Sequence, residues 1–204
     1  MKPQDIETLS FRIIDAEAGP HPFSDPQWQI VRRMIHTSAD FDYRDTVRFS
    51  PDAVARGVAA IRRGAAVVTD TRMALSGIRQ RDLARFGAKT ICLIDDPQVA
   101  RAAARQETTR ARAAVDAARE WIEGGILAVG NAPTALLRLL ELVDAGQVAP
   151  ALVIGLPVGF VNAAESKAAL MERAIPFITN LGRKGGSNVV ASVVNAFLIL
   201  AALE

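Results

Sequence analysis

Cysteine, histidine and aromatic residues are scarce in this 204-residue chain, which has one Cys, two His and 5% aromatics. A lone cysteine, Cys92, excludes an internal disulfide and fits a reducing compartment. It lies in the apolar run Thr90 to Ile94, where a thiol buried in a strand is inert. So few thiols and imidazoles cannot build a Cys/His metal cage, and no metal ligand is expected. A dominant charge sign is lacking too: 24 basic residues stand against 22 acidic ones, a formal net charge of +2. The arginines are scattered among carboxylates without a basic tract, which argues against nucleic acid as a partner. No apolar run reaches the ~20 residues a bilayer helix needs. The stretch from Val189 to Leu203 is short and carries Ser192 and Asn195. The first residues include Asp5 and no apolar core, so no signal peptide and no membrane partner are expected. The expectation is a cytoplasmic protein.

What the chain does have is Ala, Val, Leu and Ile, in a sequence that is half hydrophobic. That composition suits a packed α/β domain, and the length suits one domain over residues 1–204. An N-terminal helical segment comes first, with Ile6, Leu9, Ile13 and Ile14 at helical spacing before Gly19-Pro20. A second helix starts near Pro26 and ends near His36. A short strand over Val47 to Phe49 and a helix from Pro51 to about Arg63 follow.

Then strands and helices alternate. Strands are expected at Ala65 to Thr69, Thr90 to Ile94, Ile126 to Val129, Leu152 to Ile154 and Phe177 to Thr179. Helices are expected at 73–86, 97–105, 109–123, 134–145 and 164–173, with a final apolar helix closing the chain. The strands are uninterrupted apolar runs, as in a parallel sheet covered on both faces. The expected fold is therefore a three-layer α/β/α, doubly wound domain.

Ligands of such folds bind outside the carboxyl ends of the strands. The segments there are Thr69-Asp70-Thr71-Arg72-Met73, Gly130-Asn131-Ala132-Pro133-Thr134, Gly155-Leu156-Pro157-Val158-Gly159-Phe160 and Gly182-Arg183-Lys184-Gly185-Gly186-Ser187-Asn188. Glycines let a ligand approach the backbone, and Thr, Asn and Ser offer hydrogen bonds. In the last segment two cations face the positive end of a helix dipole, which calls for an anion. Singly, each loop also reads as ordinary helix-start chemistry, with Asn162 and Glu165 as a capping box. Neither G-x-G-x-x-G after the first strand nor G-x-x-x-x-G-K-[ST] is present, so a nucleotide site has no motif behind it.

His36, in the last turn of the second helix, is the candidate for proton chemistry, since imidazole changes charge near neutral pH. Asp40 or Asp42 could fold back onto it, and a purely structural histidine is the alternative. His21, between two prolines, reads as an exposed loop residue without a role. Arg110 follows Thr108 and Thr109, either of which can cap a helix. Its guanidinium either pairs with Glu107 at the surface or forks onto a ligand carboxylate.

These motifs together resemble one family. Ser10-Phe11, Met34-Ile35-His36-Thr37, Ala39 to Asp42, Thr69 to Thr71, Met73 to Ile78, Thr109-Arg110, Gly130 to Leu136, Pro157 to Val161, Ala163 to Lys167 and Gly182 to Asn188 occur in the order found in precorrin-8X methylmutases. The resemblance runs nearly end to end and covers both the precorrin-8 and cobalt-precorrin-8 forms. It implies a flavodoxin-like fold, a homodimer with shared active sites, and a corrinoid precursor as substrate and product. It implies that a methyl group moves from C-11 to C-12 of the macrocycle, giving hydrogenobyrinate or cobyrinate, with no cofactor and no external methyl donor.

The family's catalytic histidine corresponds to His36, its substrate-binding arginine to Arg110, and its first-helix serine to Ser10. Further candidate substrate-binding residues are Thr37, Thr69, Asp70, Thr71, Met73, Thr109, Asn131, Pro157, Gly159, Phe160, Lys184, Gly185, Gly186 and Ser187. Met73, Leu156, Val158 and Phe160 are expected to cover the ring faces, and Glu165 and Lys167 to pair locally. A tetrapyrrole carrier and a nucleotide-binding α/β protein stand as alternatives.

Overall fold

A computed structural model describes residues 2–203. Two helices open the chain, α1 (Pro3–Ala18) and α2 (Asp25–Ser38). The short α3 (Asp42–Thr46), β1 (Val47–Phe49) and α4 (Ala53–Arg62) follow. The alternating part runs β2 (Val67–Thr69), α5 (Arg72–Gly77), α6 (Gln80–Ala84), β3 (Thr90–Ile91), α7 (Pro97–Arg105), α8 (Arg110–Ala117), α9 (Arg119–Ile122) and β4 (Ile126–Val129). It ends with α10 (Pro133–Asp144), β5 (Leu152–Gly155), α11 (Ala163–Met171), β6 (Phe177–Asn180) and α12 (Ser187–Ala201).

The sheet order is β1-β6-β5-β4-β2-β3. From β6 to β3 the strands are parallel, and their order is that of a flavodoxin-like sheet. The expected wholly parallel sheet needs one correction: β1 pairs antiparallel with β6, Val47 opposite Asn180.

Alternate strand residues supply two cores. Ile126, Ala128, Leu152, Ile154 and Ile178 face α2, α4 and α12, while Leu127, Val129, Val153 and Phe177 face α8, α10 and α11. Both faces are dry, which is why the strands read as unbroken apolar runs. The helix α12 is apolar on all sides because α2, α4, α5 and the sheet surround it.

Two expected helices are broken. The 73–86 stretch divides where Ile78 turns extended, and Asn195 Oδ1 of α12 accepts from the Arg79 N–H there. The 109–123 stretch divides at Ala118. On α1, Ile14 is buried, but Ile6, Leu9 and Ile13 form an exposed apolar stripe. His21 is not a free loop residue either: its ring stacks on Trp28 at 4.0 Å.

Phe197 of α12 is fully buried in the core, its ring against Gly57 of α4. Phe197→Ala should cost roughly 3–5 kcal/mol, because the surrounding layers cannot collapse onto the void. The urea midpoint should fall without a change in slope. A loss below about 1 kcal/mol would show that this core layer is loosely packed.

Candidate functional site

The segments after β2, β4, β5 and β6 interlock at the carboxyl edge of the sheet. The Val158 N–H donates to the Gly130 carbonyl, Gly159 N–H to Arg183, and Gly186 N–H to Leu156. Thr71 Oγ1 accepts from the Ala74 N–H as the cap of α5 and lies 2.8 Å from Ser187 Oγ, which joins the first segment to the last. Thr109 caps α8 by accepting from the Arg112 N–H, and its hydroxyl lies 2.9 Å from that of Thr134 in the first turn of α10. Arg110 thus belongs to the same edge.

Where the sheet order reverses, between β2 and β4, a flavodoxin-like fold opens its ligand crevice. Here the Asp70 carboxylate fills that place. It accepts from the N–H groups of Gly130, Asn131 and Ala132 at 3.0, 2.7 and 2.7 Å. Burial raises the pKa of its carboxyl, and those three donors only partly oppose that. Grouped above with ligand-binding residues, Asp70 instead faces inward. Leu156 and Pro157 are buried as well, so Leu156 does not cover a ring face.

The cations of the last loop divide. Lys184 Nζ lies 2.6 Å from a carboxylate oxygen of Asp40 and 2.6 Å from one of Asp42. The anion that its position at a helix start calls for is therefore supplied by the chain itself. These contacts raise the lysine pKa. At Asp40, burial opposes the charged form, but the Lys184 hydrogen bond, the Asp42 N–H and the lysine charge together outweigh it and hold the carboxyl below its usual value. Neither carboxylate is folded back onto His36. Arg183, by contrast, is exposed and lies over the Phe160 ring at 5.4 Å.

Beneath this loop Lys167 is buried, with no carboxylate beside it. Its ammonium donates to Asn180 Oδ1 at 3.1 Å and to the Lys184 carbonyl at 2.7 Å. Glu165 is not its partner, and burial lowers its pKa to about 8. Asn162 caps nothing with its side chain; it begins α11 from a left-handed conformation with φ of 60°. The scaffold roles of Lys167 and Asn180 escape a reading of the sequence, because their partners lie across the loop. Of the two cations that the sequence places at this helix start, Arg183 is the one that makes no ion pair among the described residues.

His36 is exposed in the last turn of α2, just before Ala39 turns the chain with φ of 53° toward Asp40 and Lys184. Its ring packs against Phe11 at 5.1 Å, and the guanidinium of Arg32 covers Phe11 at 4.4 Å. Ser10 beside it donates to the Ile6 carbonyl. Arg110 is exposed and makes no ion pair among the described residues, Glu107 included. The exposed apolar side chains of this edge are Met73 (71%), Val158 (42%), Phe160 (84%) and Val161 (77%). The edge is an open shelf of apolar side chains with two arginines that make no ion pair among the described residues, and His36 precedes the turn that brings Asp40 to Lys184 of its last loop. A concavity of about 940 Å³ lies elsewhere, between the start of α2, α4 and the end of α12. Among the described residues no group of three or more His, Cys, Asp or Glu could hold a metal ion, and no helix is long and apolar enough to cross a membrane.

The family profile described as precorrin-8X methylmutase matches residues 5–200. The chain is 49% identical over 201 residues to the cobalt-precorrin-8 methylmutase of Priestia megaterium, covering 98% of this chain and 89% of that one. It is 49% identical over 203 residues to the enzyme of the same name from Salmonella typhimurium, covering 97% and 95%. A crystal structure of precorrin-8X methylmutase from Thermus thermophilus superposes with a TM-score of 0.91 at 49% identity, over 98% of this chain and 96% of that one.

Lys167→Met should destabilise the protein by roughly 1–3 kcal/mol near neutral pH, since Asn180 Oδ1 loses its donor and the Lys184 carbonyl keeps only the one from Asn180 Nδ2. An unfolded lysine keeps its proton up to about 10.5, whereas Lys167 in the fold releases it at about 8. Between those values the unfolded chain binds more protons, so the stability attributable to Lys167 rises with pH. Urea midpoints of the two proteins should diverge in favour of the wild type across that window; parallel curves would contradict the burial of a charged Lys167.

Proposed function

The chain belongs to the precorrin-8X methylmutase family of isomerases in cobalamin biosynthesis, and from that premise we propose that its shelf performs the methyl migration from C-11 to C-12 of the corrin precursor. What supports the proposal is that apolar side chains and Arg183 stand exposed on loops at the carboxyl edge, that Arg110 starts α8 from a cap beside the α10 start, and that His36 precedes the turn that brings Asp40 to Lys184. The substrate is a flat, apolar ring with acetate and propionate groups on its rim. Phe160, Val158 and Met73 suit the ring face. Arg110 and Arg183 suit the carboxylates, because guanidinium forks match them and neither is spent on an internal ion pair among the described residues.

His36 hydrogen-bonds to or protonates the conjugated system near the ring C nitrogen. That draws electrons toward the macrocycle as the methyl group leaves C-11 and forms its bond to C-12. The methyl group stays on the substrate, so the reaction balances without a donor. Ser10 and Thr37 flank this imidazole on α1 and α2. The edge residues Thr69, Thr71, Thr109, Asn131, Gly159, Gly185, Gly186 and Ser187 shape the backbone on which the rim rests. Lys184 meets a rim carboxylate only by sharing its ammonium with Asp40 and Asp42. The likeness to cobalt-precorrin-8 methylmutases favours the cobalt-loaded ring as the substrate.

The active unit is a homodimer. In its support, the shelf of one chain is open, and the exposed Ile6, Leu9 and Ile13 stripe lies on the helix that carries Ser10. A second copy on that stripe would enclose the ring.

Purified protein should convert precorrin-8X, with or without cobalt, to the spectrum of its product at many equivalents per site. A spectral change that stops at one equivalent would mark a carrier instead. His36→Ala should keep corrinoid binding and lose about 10²- to 10⁴-fold in kcat, the usual contribution of a general acid. Wild-type turnover in that variant would remove His36 from the reaction. Arg110→Ala should weaken corrinoid binding about 5- to 10-fold at low salt, and the gap to wild type should narrow as salt rises. An unchanged dissociation constant would rule out a carboxylate contact.

A further inference from the structure

We infer that Asp70 is a positioning residue, an internal anion that fixes the start of α10 and, through Thr134 and Thr109, aims Arg110 at the substrate. The inference rests on the methylmutase reading and adds a residue that acts from below the shelf. The first observation is the three-donor grip: the N–H groups of Gly130, Asn131 and Ala132 all converge on one carboxylate. Three successive amides leading into a helix start form the kind of nest that takes a phosphate or carboxylate from outside. Here the chain fills its own nest, and Asp70 is only 5% exposed.

The second observation is where the held segment leads. It runs into Pro133 and Thr134, and Thr134 Oγ1 lies within hydrogen-bond distance of Thr109 Oγ1, the cap of α8. Arg110 is the first residue of that helix and stands exposed without an ion pair among the described residues. Losing the carboxylate would leave three amide donors of the loop unpaired, free to turn toward water and carry Thr134 with them. Filling the nest internally has a second effect: a ligand phosphate cannot take these three amides.

Asp70→Ala should lower kcat/KM by about 10- to 100-fold, the scale of a small misplacement of a binding group. Millimolar formate or acetate should refill the nest and restore part of the loss, whereas chloride at equal ionic strength should not. Asp70→Asn keeps the shape but turns an NH₂ toward N–H donors, and formate should not rescue it. In an Arg110→Ala background, Asp70→Ala should add little further loss, because its effect passes through that arginine. Losses that multiply to within about twofold would show independent action and overturn the role. So would a folded Asp70→Ala protein whose kcat/KM ignores formate.

Amide exchange at 130–134 gives a reading free of turnover. In Asp70→Ala, formate should restore protection there; unchanged protection overturns the inference even if the wild type is an active isomerase. Wild-type protein that converts no precorrin-8X sinks the functional reading instead, and the exchange result still decides whether this carboxylate holds the loop.

Discussion

Main chain lies directly on main chain at the carboxyl edge of the sheet, and the rest of the site depends on that contact. A Cβ added at Gly130 would stand 2.7 Å from the Ser187 Cα, and one at Gly185 would stand 2.1 Å from the Leu156 carbonyl oxygen. No side chain fits either place. Because the backbones touch, the Gly186 and Val158 amides reach carbonyls of neighbouring loops, and α12 begins against the loop that follows β4. Glycine here costs entropy in the unfolded chain, offset by hydrogen bonds that separate loops could not make. The glycines read in the sequence as room for a ligand are, at these two positions, room for the protein's own backbone.

Charge at this edge falls into two classes. Asp70, Lys167 and the cluster of Lys184 with Asp40 and Asp42 are committed inside the chain and hold loops. Arg110 and Arg183 are not, and both are exposed. Residue type alone does not decide the class, since Arg72 on the same edge pairs with Asp95. Lysine carries a compact charge with donors that rotate, suited to bridging several carbonyls or carboxylates in a fixed loop. Arginine keeps its charge in any surroundings and presents a flat fork, suited to a carboxylate that arrives and leaves. A committed scaffold also means that the shelf needs little reorganisation when an anionic rim settles on it, which lowers the entropic cost of binding.

The sequence made the helices and parallel strands legible because burial on both faces leaves unbroken apolar runs, as in Ile126 to Val129 and Leu152 to Gly155. The loops and their common edge were legible for the same reason: once the alternation is read, topology places them. What was hidden depended on distant partners. The antiparallel direction of β1 belongs to its pairing with β6 at the far end of the chain, which periodicity does not report. Asn195 divides the helical stretch at Ile78 from more than a hundred residues away. At the site, His36 and Arg110 were found by family motif and position, whereas the internal tasks of Asp70, Lys167 and Lys184 became visible only with their partners in place. A charged residue in a loop has the same signature whether it faces a ligand or a neighbouring loop.

Exposure of large apolar side chains on this edge has a thermodynamic meaning. Phe160 and Val161 are 84% and 77% exposed, and Ile6, Leu9 and Ile13 stand about half exposed on α1. Each Å² of such surface taken from water contributes about 25 cal/mol. A chain that keeps this surface bare while burying its other large apolar groups holds that energy in reserve for an encounter. The two patches differ in what could cover them. The α1 stripe is aliphatic, helical and without charge, which matches another helix. The Phe160 side of the shelf is bordered by arginine, which matches a flat ring with a carboxylate fringe. In the proposed homodimer, a second copy closing over the shelf that stands open in the single chain would supply the exclusion of water that methyl migration needs.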